Sequence, residues 1–191
     1  MKANNTTGRY ITTAVLQKVA GAMLPFYHRI AVNRAYAAAW TKAVRNADLG
    51  VIERLLREVR LSLPRVLSIS TNGIGYFIDF RAPRPVIQYT NGTSLRPGTT
   101  QFYFHTGVHR SIARVLVPLY REIVRNKPFA RLIVAAVRSG NAALLNRLIR
   151  SKVTTRALKS ITIEASGFSL GFRYAASPYT FYNQFFRELT P

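Results

Sequence analysis

An internal repeat organises this chain of 191 residues. When the sequence is compared with itself at an offset of 93 positions, residues 10–57 align with residues 103–150 without a gap, and 15 of these 48 positions are identical. One extra residue in the second copy then shifts the offset to 94, and the similarity continues. A repeat of this length is one supersecondary unit, so we expect two similar units that pack against each other to bury a sufficient core.

Hydrophobic periodicity predicts several helices in each copy. In the first copy, apolar residues recur at helical spacing near residues 11–24 and 35–46, and again after Asp48, which is expected to cap the next helix. Both copies contain a proline at the same position, Pro25 and Pro118. Because proline fixes φ and lacks a backbone N–H, each proline is expected to end the first helix and to start a short second one.

The pattern then changes to the two-residue period of strands. Alternating apolar and polar residues flank Asn72-Gly73, and a similar pattern flanks Ser166-Gly167 in the second copy. An Asn-Gly step between two such segments is a strong signal for a β-hairpin. The predicted fold class is therefore α+β: a tandem duplication of a unit of several helices followed by a β-hairpin, with pseudo-twofold symmetry.

The repeat divides the chain into four segments. Residues 1–80 are the first repeat, residues 81–102 a connecting arm, residues 103–175 the second repeat, and residues 176–191 an aromatic C-terminal docking segment. The connecting arm is rich in Pro and Gly. It is interpreted either as a linker or as an ordered arm that adds a strand to a sheet.

The charge of the chain points to a polyanionic partner. There are 28 Lys and Arg residues against 7 Asp and Glu, giving a formal net charge of +21, and 22 of the basic residues are Arg. A hydrophobic content of 48% argues against a disordered basic tail. Such a charge repels itself and concentrates anions, so we expect nucleic acid or acidic protein neighbours in a large assembly. Self-association of the chain is also compatible with this composition.

Three arginine pairs recur in the two copies, whereas the acidic residues near them do not. Glu53, for example, aligns with Asn146. An arginine that served only a neighbouring carboxylate is expected to change with it, so the counter-charge of the recurring arginines is predicted to lie outside the chain. A solvated helix face, with arginine methylenes covering apolar surface, is the alternative. The predicted polyanion-binding residues are Arg45, Arg54, Arg57, Arg138, Arg147 and Arg150.

The C-terminal segment concentrates aromatic side chains. Five of eight consecutive positions are aromatic: Tyr179, Phe181, Tyr182, Phe185 and Phe186. Such a cluster is typical of a segment that docks against the protein's own core. Where its members are not buried there, they are predicted to be partner-docking anchors.

The sequence argues against an enzyme. It contains no Cys, its seven carboxylates are scattered, and no glycine-rich phosphate-binding motif is present. His105 and His109 are four residues apart and could face one metal on a helix, but they are interpreted as surface or capping residues. No catalytic residue, metal site or cofactor is therefore predicted.

The remaining predictions concern location and role. No segment approaches the roughly 18 apolar residues of a spanning helix, and the N-terminus is polar, so the protein is expected to be intracellular or virion-associated, not secreted and without a membrane partner. The Asn-x-Thr triplets, including that at Asn91, are interpreted as polar loop sequence.

The predicted function is a non-enzymatic structural protein of a large assembly, such as a minor capsid or internal virion protein. It would sit against nucleic acid or acidic protein surfaces. The alternative is a free, sequence-nonspecific DNA- or RNA-binding architectural protein.

Overall fold

The computed structural model describes residues 9–59 and 66–188. Within these residues the chain is an α+β fold of six helices and one six-stranded antiparallel sheet. The helices are α1 (Thr13–Val32), α2 (Arg34–Arg45), α3 (Leu49–Glu58), α4 (Thr106–Arg125), α5 (Lys127–Ser139) and α6 (Ala142–Arg150). The strands are β1 (Val66–Thr71), β2 (Gly75–Arg81), β3 (Gln88–Ser94), β4 (Leu158–Glu164), β5 (Gly167–Phe172) and β6 (Phe181–Glu188).

The strands have the order β1-β2-β3-β6-β5-β4 across the sheet. The first three strands in the chain therefore form one half of the sheet and the last three form the other. The halves meet where β3 pairs with β6, with Asn91 opposite Phe185 and Thr93 opposite Asn183. β1 and β4 are the two edges, so backbone hydrogen bonds run continuously across both halves.

Helices pack on one face of this sheet. Alternation along β2 turns Tyr76, Ile78 and Phe80 toward the helices, where all three are fully buried, and turns Phe77 toward the opposite face. α1 and α4 pack along each other, α1 contacts the central strand β3, and α3 and α6 contact the edge strands β1 and β4. The hydrophobic core lies between these helices and the inner face of the sheet.

Polar side chains set the beginnings of the helices. In each case the capping side chain accepts a hydrogen bond from the backbone N–H three residues further on, which satisfies a donor that the helix leaves unpaired. The caps are Thr12, Asn33, Asp48, His105, Asn126 and Asn141. Asp48 thus caps α3 as predicted. Gly140 ends α5 with φ of 68°, a left-handed conformation that favours glycine.

The prediction that proline ends the first helix of each copy is wrong. Pro25 lies inside α1 and Pro118 inside α4, and both helices run on for seven further residues. Both prolines are exposed, so water can hydrate the carbonyl that loses its helical partner. The inward-facing residues beyond each proline, among them Tyr27 and Tyr120, are buried in the core. This burial outweighs the roughly 3 kcal/mol that an interior proline costs a helix.

Both predicted hairpins form, and the segment 81–102 supplies a further strand. β1 pairs with β2, and β4 with β5. Asn91 and Gly92 were predicted to belong to loop sequence, which is wrong, because they lie in the middle of β3. A Cβ at Gly92 would lie 2.1 Å from the backbone oxygen of Tyr76, so this position requires glycine for the close approach of β2 and β3.

A closed ring of four buried hydrogen bonds joins the central helices to the central strands. The Tyr27 hydroxyl donates to Asn91 Oδ1 at 2.9 Å, and Asn91 Nδ2 donates to the Tyr120 hydroxyl at 2.9 Å. The Tyr120 hydroxyl donates to Asn183 Oδ1 at 2.8 Å, and Asn183 Nδ2 returns to the Tyr27 hydroxyl at 2.7 Å. Burial raises the pKa of Tyr27 and holds that of Tyr120 well above its ordinary value, so both hydroxyls stay protonated and can donate. We call these four residues the Tyr–Asn ring.

Candidate polyanion-binding surface

All six predicted arginines are exposed to solvent. The α2–α3 pair carries three of them and the α5–α6 pair carries the other three. The first group is Arg45, Arg54 and Arg57, and the second is Arg138, Arg147 and Arg150. We call them the first and second arginine groups.

Most of these arginines have no counter-charge among the residues that the structure describes. Arg57 lies 3.5 Å from Glu53, but both side chains are about half exposed (60% and 49%), and an exposed i,i+4 pair contributes only about 0.3–0.5 kcal/mol. Arg150 Nε donates to the amide oxygen of Asn146 at 3.1 Å. Across residues 9–59 and 66–188, the other four make no side-chain hydrogen bond or ion pair with the protein.

Two carboxylates elsewhere in the fold serve other groups. Asp79, which is 8% exposed, accepts hydrogen bonds from the hydroxyls of Ser68 and Thr90. Glu122 accepts from Asn126 at 2.8 Å and lies 3.3 Å from Lys152. The Asn126 amide, together with Lys152, holds the pKa of Glu122 below its ordinary value. The positive charge of the two arginine groups therefore stays uncompensated by these side chains.

Helix ends supply part of the missing negative charge, which the comparison of the two copies did not anticipate. Five of the six arginines lie in the last turn of a helix, where the carbonyl ends of the peptide dipoles attract cations. This interaction contributes about 0.3–1 kcal/mol at an exposed site. Arg54 lies a turn earlier on α3. The dipoles therefore favour arginine at these positions but leave the guanidinium groups open to a partner.

The fold separates the two arginine groups. α3 packs against the edge strand β1 and α6 against the opposite edge strand β4. Five strand spacings of about 4.8 Å place these edges roughly 24 Å apart. The structure thus separates the α3 arginines from the α6 arginines, and Arg138 lines a different cavity together with Arg84. The six residues are not gathered into one site, and a single partner that contacts the arginines of both α3 and α6 must be extended.

The C-terminal aromatic residues divide into two sets. Phe181 and Phe185 are 0% and 1% exposed and belong to the core of the protein, so this part of the segment docks against its own sheet. Tyr179, Tyr182 and Phe186 are half-buried. A partner-docking role stays a prediction for these three, because their rings are accessible.

A basic and aromatic pocket, which the sequence did not reveal as a site, lies at one end of the central strands. It has a volume of about 420 Å³, and no carboxylate lines it. Its lining residues are Arg96, Thr99, Arg173, Pro178, Tyr179, Thr180 and Tyr182. We call it the Arg96 pocket. Arg96 follows the end of β3, Arg173 follows the end of β5, and Tyr182 lies at the start of β6, so antiparallel pairing brings these distant residues together.

The two clustered histidines have separate structural roles. His105 caps α4, with its Nδ1 accepting from the backbone N–H of Val108 at 3.1 Å. His109 is not at the surface, contrary to the prediction, because it is fully buried with its Nε2 2.9 Å from the Tyr76 hydroxyl. Burial lowers the pKa of His109 to about 3. The described part of the chain holds no group of three His, Asp or Glu side chains placed to bind a metal ion.

Comparison with known proteins finds no matching family model, characterised protein or solved structure. Among the helices in residues 9–59 and 66–188, none combines the length and apolar content needed to cross a membrane.

Proposed function

We propose that this chain is a non-enzymatic, strongly basic structural protein of a large assembly that sits against a polyanion. The observation that carries the proposal is the exposure of six recurring arginines, four of them without a protein partner in the described part of the chain. A net charge of +21 on this chain destabilises the compact state through self-repulsion, which anions supplied by another molecule would relieve. A minor capsid or internal virion protein has this profile.

Nucleic acid is the better supported of the two polyanions. The edge strands against which α3 and α6 pack lie roughly 24 Å apart, and a polymer with regularly spaced charge can contact arginines of both helices with one molecule. In B-form DNA this distance corresponds to about seven base-pair steps of 3.4 Å. Guanidinium groups also bind phosphate bidentately. An acidic protein neighbour would need carboxylates at this same separation.

We further propose that the fold arose by tandem duplication and has pseudo-twofold symmetry. α1 and α4 have 20 residues each, and the strand order reads the same from both edges when the halves are exchanged. The Tyr–Asn ring supports the same proposal. Tyr27 and Tyr120 occupy equivalent repeat positions, and each hydroxyl donates to one Asn and accepts from the other.

A set of matched variants tests the polyanion proposal. One variant replaces both arginine groups with Gln. The control replaces six other exposed arginines that are not identical between the copies, so each variant loses six charges. The control positions are Arg34, Arg81, Arg114, Arg121, Arg125 and Arg131. We expect the first variant to lose most of its affinity for a labelled DNA duplex at an unchanged melting temperature, and the control to lose less.

The assay also separates the alternatives. Equal losses in both variants would show that total charge, and not these arginines, determines binding. A large fall in melting temperature of the first variant would show the arginines to be structural. Displacement of DNA by polyglutamate at equal charge concentration would favour an acidic protein neighbour. Tight binding of duplex DNA in any sequence, with a monomeric protein and no assembly, would favour the alternative of a free, sequence-nonspecific DNA- or RNA-binding architectural protein.

A further inference from the structure

We propose that the Arg96 pocket binds a nucleotide unit, that is, an aromatic base together with its phosphate. The inference rests on the proposed polyanion function and names the ligand class at one site. The nucleotide can belong to a single-stranded nucleic acid or be free in solution. Both sources share the chemistry that the pocket recognises.

The phosphate would be bound by two arginines. Arg96 and Arg173 are both exposed and line the pocket from the ends of β3 and β5. Neither forms an ion pair with a residue in the described ranges, and no acidic side chain lines the cavity. Two guanidinium groups at one cavity, without a carboxylate to neutralise them, favour a doubly charged phosphate over a neutral ligand.

The base would stack on aromatic rings that the fold holds in place. Tyr182 crosses Gly171 of the neighbouring strand, where a Cβ would lie 3.1 Å from the tyrosine ring. Tyr179 packs edge-to-face against Tyr103 with ring centroids 4.8 Å apart. Because these contacts already restrict both rings, little side-chain entropy is lost when a base stacks on them.

Arg96 contributes both to the phosphate site and to the stacking surface. Its guanidinium carbon lies 4.8 Å from the centroid of the Tyr182 ring. A planar guanidinium over an aromatic ring presents both a stacking surface and hydrogen-bond donors. Because the guanidinium covers one face of the Tyr182 ring, a base would stack on the outer face of the guanidinium or on Tyr179, next to the donors that would bind its phosphate.

Two other cavities of the described structure suit a nucleotide less well. The cavity at Pro25, of about 430 Å³, includes Glu58, whose carboxylate would repel phosphate. The cavity between Arg84 and Arg138 has about 230 Å³, roughly half the volume of the Arg96 pocket. At about 420 Å³ the Arg96 pocket lies within the usual range of small-ligand sites.

Binding of a labelled oligothymidylate of about 12 nucleotides tests the proposal. The pocket variant is Arg96→Gln with Arg173→Gln. The charge-matched control is Arg114→Gln with Arg131→Gln, which removes two exposed arginines from helices. We expect the pocket variant to bind at least about tenfold more weakly than the control, because it loses a phosphate site as well as charge.

Substitutions at Tyr182 test binding of the base separately from binding of the phosphate. Tyr182→Ala is expected to weaken oligothymidylate about tenfold or more but to leave inorganic polyphosphate binding unchanged, whereas Tyr182→Phe retains both. Nuclear magnetic resonance of the wild-type protein provides a measurement that does not depend on a folded variant. Thymidine monophosphate should shift the ring resonances of Tyr179 and Tyr182, and inorganic phosphate should shift only the arginine side chains.

The outcomes separate the pocket from the proposed function. Equal affinities of the pocket variant and its control for oligothymidylate would overturn the proposal that the Arg96 pocket binds a nucleotide. The proposal of polyanion binding would be unaffected. Ring shifts of equal size with inorganic phosphate would also overturn it, because the site would then bind an anion alone. If the wild-type protein binds no DNA but shows the thymidine monophosphate shifts, the polyanion function is contradicted and the nucleotide-binding proposal for the pocket stands. Preference for the oligonucleotide over the mononucleotide identifies a strand as the ligand, and equal affinity identifies a free nucleotide.

Discussion

Removing two hydrogen-bonded members of the Tyr–Asn ring together should destabilise the fold by less than the sum of the two single losses. Asn91 is 0% exposed and makes two ring hydrogen bonds, to the hydroxyls of Tyr27 and Tyr120. In Asn91→Leu the Tyr27 hydroxyl keeps its proton but has no ring acceptor for it. Tyr27→Phe with Asn91→Leu removes that stranded donor together with its former partner.

The magnitude follows from the hydrogen bonds lost. Two net hydrogen bonds of about 1 kcal/mol each, with a buried unsatisfied hydroxyl, give a loss of about 2–4 kcal/mol for Asn91→Leu. Tyr27→Phe alone should cost about 1–3 kcal/mol, because Asn183 Nδ2 retains the Gly92 carbonyl at 3.0 Å as an acceptor. In the double variant the loss should fall short of the sum of the single losses by about 1–2 kcal/mol.

Urea unfolding followed by circular dichroism measures these free energies. Tyr36→Phe combined with Asn91→Leu is the control pair, since the Tyr36 hydroxyl donates to the Leu55 carbonyl at 2.8 Å and lies outside the ring. The control losses should add within about 0.5 kcal/mol. If the Tyr27 and Asn91 losses also add within that margin, the ring does not act as a unit and the reasoning fails.

Three further predictions concern buried or half-buried positions. Because the folded pKa of His109 is about 3 and the unfolded pKa about 6.5, the unfolded state takes up this proton first, so stability should fall by up to about 1.4 kcal/mol per pH unit below pH 6.5. His109→Gln should flatten the pH 5–6.5 part of the curve, and an unchanged slope would exclude His109 as its source. Gly92→Ala should lower the free energy of unfolding by about 1–3 kcal/mol or more, because its Cβ meets the Tyr76 backbone oxygen. Gly21→Ala, with only Val124 in ordinary contact at 3.7 Å, should be neutral or stabilising by up to about 1 kcal/mol in the same urea assay.

Local patterns in the sequence predicted the class of the fold and most of its elements. The cap Asp48 and the hairpin at Asn72-Gly73 each depend on a few neighbouring residues, and each forms as predicted. Pro25 was misjudged because tertiary burial of the helix beyond it outweighs a local backbone cost.

The central strands were harder to predict. Asn91 and Gly92 are typical turn residues, yet β3 lies at the centre of the sheet. Asn91 is tolerated there because two tyrosines from distant helices pair with it, and Gly92 because another strand passes close to it. Both reasons depend on contacts that are remote in sequence, so local propensity points to the wrong structure.

The candidate sites could likewise be predicted from the sequence only in part. Comparison of the two copies identified six arginines, and their exposure agrees with a surface role. It did not reveal that α3 and α6 lie at opposite edges of the sheet, nor that helix ends contribute to arginine preference. The Arg96 pocket carried no sequence signal, because Arg96 and Arg173 meet only through strand pairing with β6.

The salt dependence of DNA binding tests most directly whether the recurring arginines meet phosphates. The measurement compares the slope of log K against log salt concentration for the wild-type protein and for the variant with both arginine groups replaced by Gln. Each lost phosphate contact should make the slope shallower by about 0.9, so six contacts would change it by about 5. Parallel lines for the two proteins would show that these side chains release no counterions, and the polyanion proposal for them would be wrong.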